Sequence, residues 1–171
     1  TALLNGYSNI ESAFIAKYSS SGAYLWAFTL SGSLAVGLDL KLDGSGNVCV
    51  TGEINPSNDT IVDFDPGQGA ANLVVDNNFN YFFLAKYSAS GAYLWAKIAA
   101  GESAYSRSMA IDANDNILLT GRFSAYIDFD MGPGTANLFS FGLTGDVFVA
   151  KYDGAGNFIW VFRIGGNGFD T

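Results

Sequence analysis

Two pairs of aspartates stand at a spacing that suits metal chemistry. They are Asp63 and Asp65 in Val62-Asp63-Phe64-Asp65-Pro66-Gly67-Gln68-Gly69, and Asp128 and Asp130 in Ile127-Asp128-Phe129-Asp130-Met131-Gly132-Pro133-Gly134. Alternate residues of an extended segment point to one face, and the glycines that follow let backbone carbonyls converge. Oxygen ligands of this sort suit calcium. The spacing lacks the further ligands and the closing Glu of an EF-hand loop, and Asp ahead of Gly and Pro is also ordinary turn chemistry. A structural calcium ion and a plain turn are therefore both readings of these four residues, and no other cofactor is expected.

Three lysines, Lys17, Lys86 and Lys151, interrupt otherwise apolar runs of the form Phe-(Ile/Leu/Val)-Ala-Lys-Tyr. A cation there is tolerated when its stem packs between neighbours and its ammonium meets a carboxylate or a carbonyl. An amine nucleophile would not be needed in triplicate. Nine residues after each lysine stands a tryptophan, at Trp26, Trp95 and Trp160. These could form an aromatic platform for sugar rings, but a residue recurring at one position of every unit serves what every unit needs, which is packing.

Other chemistry is excluded or left without a motif. The chain has no His, which removes Ser/His and Cys/His nucleophiles and His metal sites together. A net charge of -8 would repel nucleic acid and anionic membrane surfaces. The single cysteine, Cys49, lies in an apolar run where its repeat counterpart is Leu118, and reads as a small buried hydrophobe. No apolar stretch approaches the ~20 residues of a membrane span, so no membrane insertion is expected. Gly165-Gly166-Asn167-Gly168 lacks the lysine and the strand-to-helix context of a phosphate loop.

The elements that must position these residues are hairpins. Phe83-Leu84-Ala85-Lys86-Tyr87 and Ala92-Tyr93-Leu94-Trp95-Ala96 flank Ser-Ala-Ser-Gly, two aromatic-rich runs around a turn. The same hairpin opens at Phe14 and at Phe148. Trp26 and Trp95 are 69 residues apart, Trp95 and Trp160 are 65 apart, and the lysines repeat both spacings. A second hairpin, Leu42-Asp43-Gly44-Ser45-Gly46-Asn47-Val48, is matched by Ile111-Asp112-Ala113-Asn114-Asp115-Asn116-Ile117. With no helical periodicity over three turns, the chain reads as all-β: one segment, 1–171, in repeat units 1–69, 70–134 and a partial 135–171. By register, Thr1-Ala2-Leu3-Leu4 falls opposite Thr135-Ala136-Asn137-Leu138, so the chain enters inside a unit. Its tail from Gly165 matches the connection that opens a further one. Two hairpins per unit make a four-stranded antiparallel meander, and its repetition about an axis is a β-propeller blade. About two and a half units leave the ring incomplete. Open sheet edges are expected, to be covered by flanking blades of a longer chain or by other copies of this one.

These four ordered motifs resemble the bacterial SBBP-type β-propeller repeat family, found in secreted and surface proteins of Bacteroidetes-like bacteria. The resemblance covers nearly the whole chain and implies an architecture rather than an activity, together with an extracellular or cell-surface location. Three functions follow in order of expectation. The first is a non-enzymatic interaction or adhesion scaffold, with specificity in segments that differ between copies: 53–60 against 122–126, and 76–80 against 141–145. The second is a glycan-binding propeller that uses exposed aromatics such as Tyr105, Tyr126 or Phe141. The third is a polysaccharide hydrolase or lyase with a carboxylate pair that no motif singles out.

Overall fold

The computed structural model describes residues 12–168 except 33, 57–59, 77 and 142–144. The register match of Thr1 to Leu4 and the end of the tail from Phe169 lie outside the described residues, as do parts of the nonrepeating segments around 57–59, 77 and 142–144. Every regular element described is a strand. The first hairpin is β1 (Phe14–Tyr18) and β2 (Tyr24–Thr29). The first complete unit holds β3 (Ser31–Gly32), β4 (Leu34–Leu42), β5 (Val48–Asn55), β6 (Ile61–Asp63), β7 (Asn72–Val74), β8 (Tyr81–Tyr87) and β9 (Tyr93–Ile98). The second repeats it as β10 (Ala100–Gly101), β11 (Ala104–Ile111), β12 (Ile117–Phe123), β13 (Tyr126–Asp128), β14 (Asn137–Phe139), β15 (Asp146–Tyr152) and β16 (Phe158–Ile164).

Each complete unit is a four-stranded antiparallel sheet, β4-β5-β8-β9 and then β11-β12-β15-β16. These are propeller-type blades. Sequence reasoning took the Asp63 and Asp128 segments as short extended pieces ending in turns. In the structure they belong to separate three-stranded sheets, β3-β6-β7 and β10-β13-β14, each built from a two-residue strand ahead of the blade's first strand and two strands between its second and third. Tyr87 Oη donates to Phe64 O at 3.1 Å and Tyr152 Oη donates to Phe129 O at 3.0 Å, which ties each small sheet to its blade.

Local chemistry sets the tight turns. Asp43 Oδ1 accepts from the N–H groups of Ser45 and Asn47, and Asn47 Nδ2 donates to Asp43 Oδ2. Asp112 does the same for Asn114 and Asn116. Asp153 repeats it at the β15–β16 turn of the last blade, and at the same position of the β1–β2 and β8–β9 turns Ser19 and Ser88 supply hydroxyl oxygens instead. Each residue offers an oxygen to backbone N–H groups that would otherwise be left unpaired as the chain reverses.

The core lies between sheets. One cluster joins Ala13 and Ile15 of the first hairpin to Val48, Val50, Phe83, Ala85 and Tyr87 of the first blade. The other joins Cys49, Phe82 and Leu84 on the opposite face of that blade to Phe148, Ala150 and Tyr152 of the second. Because strand side chains alternate between faces, the first blade feeds both clusters.

Candidate functional site

The repeated lysines and tryptophans stand where one sheet meets the next. Lys17 Nζ donates to Ala89 O at 2.9 Å, in the β8–β9 turn of the following blade. Lys86 Nζ donates to Gly154 O, the matching carbonyl one blade on, also at 2.9 Å. Lys86 also pairs at 2.9 Å with Asp43 of its own blade, with side chains only 8% and 3% exposed. Lys151 makes the equivalent in-blade pair with Asp112 at 2.8 Å, but at 22% and 26% exposure. The tryptophans bridge the same seams. A methyl group on Gly91 would lie 2.9 Å from the Trp26 ring, and one on Gly156 would lie 2.9 Å from the Trp95 ring. Both glycines have positive φ, 88° and 76°. Glycine there answers two demands, a left-handed turn and room for an indole.

Further seam contacts come from residues that sequence reasoning did not single out. Asp39 sits at a bulge of β4, and its Oδ2 accepts from Met109 N at 2.7 Å and Ser108 Oγ at 3.0 Å on β11. Asp115 Oδ1 accepts from Gly44 N at 2.7 Å, turn to turn. Burial disfavours the Asp43 carboxylate, yet the hydrogen bonds from Lys86 and Asn47 outweigh it and lower its pKa to about 2. Asp39 is likewise held at about 2, with hydrogen bonds from Lys41 and Met109 overcoming burial. The Cys49 thiol is pushed up to about 11 by burial, which keeps it protonated and poorly nucleophilic at neutral pH.

The four aspartates proposed as calcium ligands face their own loops. Asp63 Oδ1 accepts from Asp65 N and Ala71 N, and Asp65 Oδ1 accepts from Gly67 N. Asp128 Oδ1 accepts from Asp130 N and Ala136 N, and Asp130 Oδ1 accepts from Gly132 N. Among the described residues no three His, Cys, Asp or Glu side chains stand grouped for a metal ion.

The aromatics considered for sugar stacking are not brought together. Tyr105 Oη accepts from Asn80 Nδ2 at 2.7 Å, Tyr126 lies beside Phe139 with ring centroids 5.2 Å apart, and Phe141 lies under the Arg163 guanidinium at 3.8 Å. Trp26 stacks on Phe28 at 5.5 Å while Gly91 lies against its ring, so the repeated tryptophan is engaged in packing. The segments that differ between copies, 53–60 with 122–126 and 76–80 with 141–145, join second strands to third strands. Antiparallel connectivity therefore puts their described residues toward the end of the blade opposite the Asp43 and Ser88 turns. The repeated lysines and tryptophans make their contacts between sheets at the turn end, and the differing segments also touch the next blade, through Asn80 to Tyr105 and Glu53 to Arg107.

No protein-family model matches the sequence. The chain is similar to an uncharacterized WD repeat-containing protein of Acanthamoeba polyphaga mimivirus, 24% identical over 186 aligned residues that take in 96% of this chain. It spans 13% of that protein's length. WD repeats are four-stranded propeller blades, so the relative supports propeller-type repeats. Its source is viral.

Proposed function

We propose that this chain is a non-enzymatic β-propeller-type scaffold, part of a longer propeller protein working outside the cell or at its surface. It presents its nonrepeating loops to a protein partner. The observation that carries this reading is the division of labour along each blade. Residues that repeat, Lys86 and Trp95 among them, are engaged by the neighbouring sheet at the turn end, whereas the segments that differ lie toward the other end, where only single residues such as Glu53 and Asn80 reach the next blade. A scaffold of this kind gains affinity for a partner by varying loops on a rigid frame.

The test is to pan a displayed peptide library against the immobilised chain and compare the wild type with a variant in which 122–126 is exchanged for 53–60. Selected peptides are expected to lose at least about tenfold in affinity for the loop variant and to keep their affinity for Trp95→Phe. Binders that map to the 19–23 or 88–92 turns, or release of reducing sugar ends from a polysaccharide panel, would overturn the reading.

A further inference from the structure

We propose that a cleft in the first seam, between the first hairpin and the first blade, binds a small primary alkylammonium compound. Its ammonium group stands where the second seam places that of Lys97. This ligand is distinct from the protein partner proposed for the opposite end of the blades, and the inference rests on the two seams alone. The cleft measures about 520 Å³. Trp26 and Phe28 of β2, Gly91 and Tyr93 of the β8–β9 hairpin, and Asp65 and Pro66 from the loop between β6 and β7 line it. Its walls belong to sheets that already meet inside the chain.

The two seams differ at a position that decides what meets the turn. Two residues after the seam tryptophan stands Phe28 in the first seam and Lys97 in the second. Lys97 reaches across its seam, where Nζ donates to Gly156 O at 2.7 Å and to Asn157 Oδ1 at 3.4 Å. Gly91 is the counterpart of Gly156, in the same left-handed turn conformation. Phe28 has nothing to donate. Its ring lies against Trp26 at 5.5 Å and Tyr87 at 4.7 Å instead, and among the described residues the Gly91 carbonyl receives no hydrogen bond. A carbonyl that a lysine of this same chain satisfies one seam later is thus left open beside a cleft. Asp65 has acceptor capacity to spare as well. Its Oδ1 accepts from Gly67 N at 2.8 Å, whereas its Oδ2 accepts nothing among the described residues. Ser88 and Ala92 stand where the second seam has Asp153 and Asn157, so Asp65 is the one charged residue among those that line the cleft. Two open acceptors, one of them a carboxylate, select a cationic hydrogen-bond donor. The apolar walls suit the alkyl stem that carries it, and a net charge of -8 favours the approach of a cation.

Calorimetric titration of the chain with pentylammonium chloride tests this, with 1-pentanol as an uncharged isostere and pentyltrimethylammonium as a cation that cannot donate. Pentylammonium is expected to bind with a Kd at or below about 1 mM, and both controls at least about tenfold more weakly. Phe28→Lys supplies from within what Lys97 supplies in the second seam and should abolish binding. Asp65→Asn, which keeps an oxygen for Gly67 N, should weaken binding at least about tenfold. Both variants are first shown folded by circular dichroism, and Asp65→Asn alone suffices for the test. Pentanol bound as tightly as pentylammonium would make the cleft a plain apolar groove, and equal binding of the trimethyl compound would remove the hydrogen bond to Gly91. Either result overturns the proposal, as does the absence of binding up to about 10 mM pentylammonium or binding indifferent to the substitutions. None of these outcomes bears on the peptide selection that tests the scaffold reading.

Discussion

Tyr81–Tyr87 is buried at every position, whereas Asp146–Tyr152, its counterpart one unit later, is buried only at alternate ones. The two strands share Phe, Ala, Lys and Tyr in register and pair in the same way with their neighbours. They differ in company. The first is covered on both faces, by the first hairpin and by the second blade, while the second, among the described residues, packs on one face alone. What a repeated residue is worth is thus set by the presence of the next blade, and the pairs Lys86 and Lys151, or Trp95 and Trp160, measure it within one molecule.

The lysines should give the largest contrast. Lys86→Met leaves Asp43 without its counter-ion among buried groups and is expected to cost about 3–5 kcal/mol. Lys151→Met breaks a pair that water reaches and should cost at most about 1 kcal/mol. Urea titration of both variants checks this, and equal losses would break the comparison. Next come the tryptophans. Trp95→Ala opens a gap between two blades and should cost about 3 kcal/mol. Trp160→Ala should stay within about 1 kcal/mol for the monomer.

A pH series sharpens the same contrast. The folded-state pKa of Asp43, about 2, lies below the 3.8 of an ordinary aspartate. Its contribution, about 2 kcal/mol, is therefore complete above about pH 4 and fades as pH falls toward 2. Asp43→Asn should lower stability at neutral pH and flatten the acid dependence in that window; Asp112→Asn should cost less at neutral pH because water reaches its pair with Lys151, although hydrogen bonds from Lys151 and Asn116 hold its carboxyl well below the usual carboxylate range as well. The smallest effect concerns the aspartate pairs. Because Asp63, Asp65, Asp128 and Asp130 accept hydrogen bonds from their own loops, millimolar calcium is expected to leave Tm unchanged. A rise of several degrees would make them ligands.

Much of the frame was legible because its signals are local. The hairpins announce themselves by aromatic and β-branched runs around Asp, Ser and Gly turns, and the 69 and 65 residue spacings order them. The small sheets were not legible. Their first strands, Ser31–Gly32 and Ala100–Gly101, have two residues each and no strand pattern, and they pair with segments about thirty residues later. The lysines and tryptophans stood out as landmarks, but their partners did not. Gly91 reads in sequence as a turn residue, and that it also makes room for Trp26, 65 residues earlier, is a fact of packing. Asp39 did carry a signal of its own. Its counterpart in the next unit is Ser108, a break in the repeat within a strand, and these two residues meet each other across the seam.

Native-state hydrogen exchange, at a concentration where the chain is monomeric, compares the two blades most directly. The β4-β5-β8-β9 sheet is predicted to exchange slowest, at the rate of global unfolding, and the β11-β12-β15-β16 sheet faster, through openings that spare the first blade. Equal protection in the two sheets, or slower exchange in the last, would contradict the claim that the neighbouring blade, and not the motif itself, sets what each repeated residue contributes.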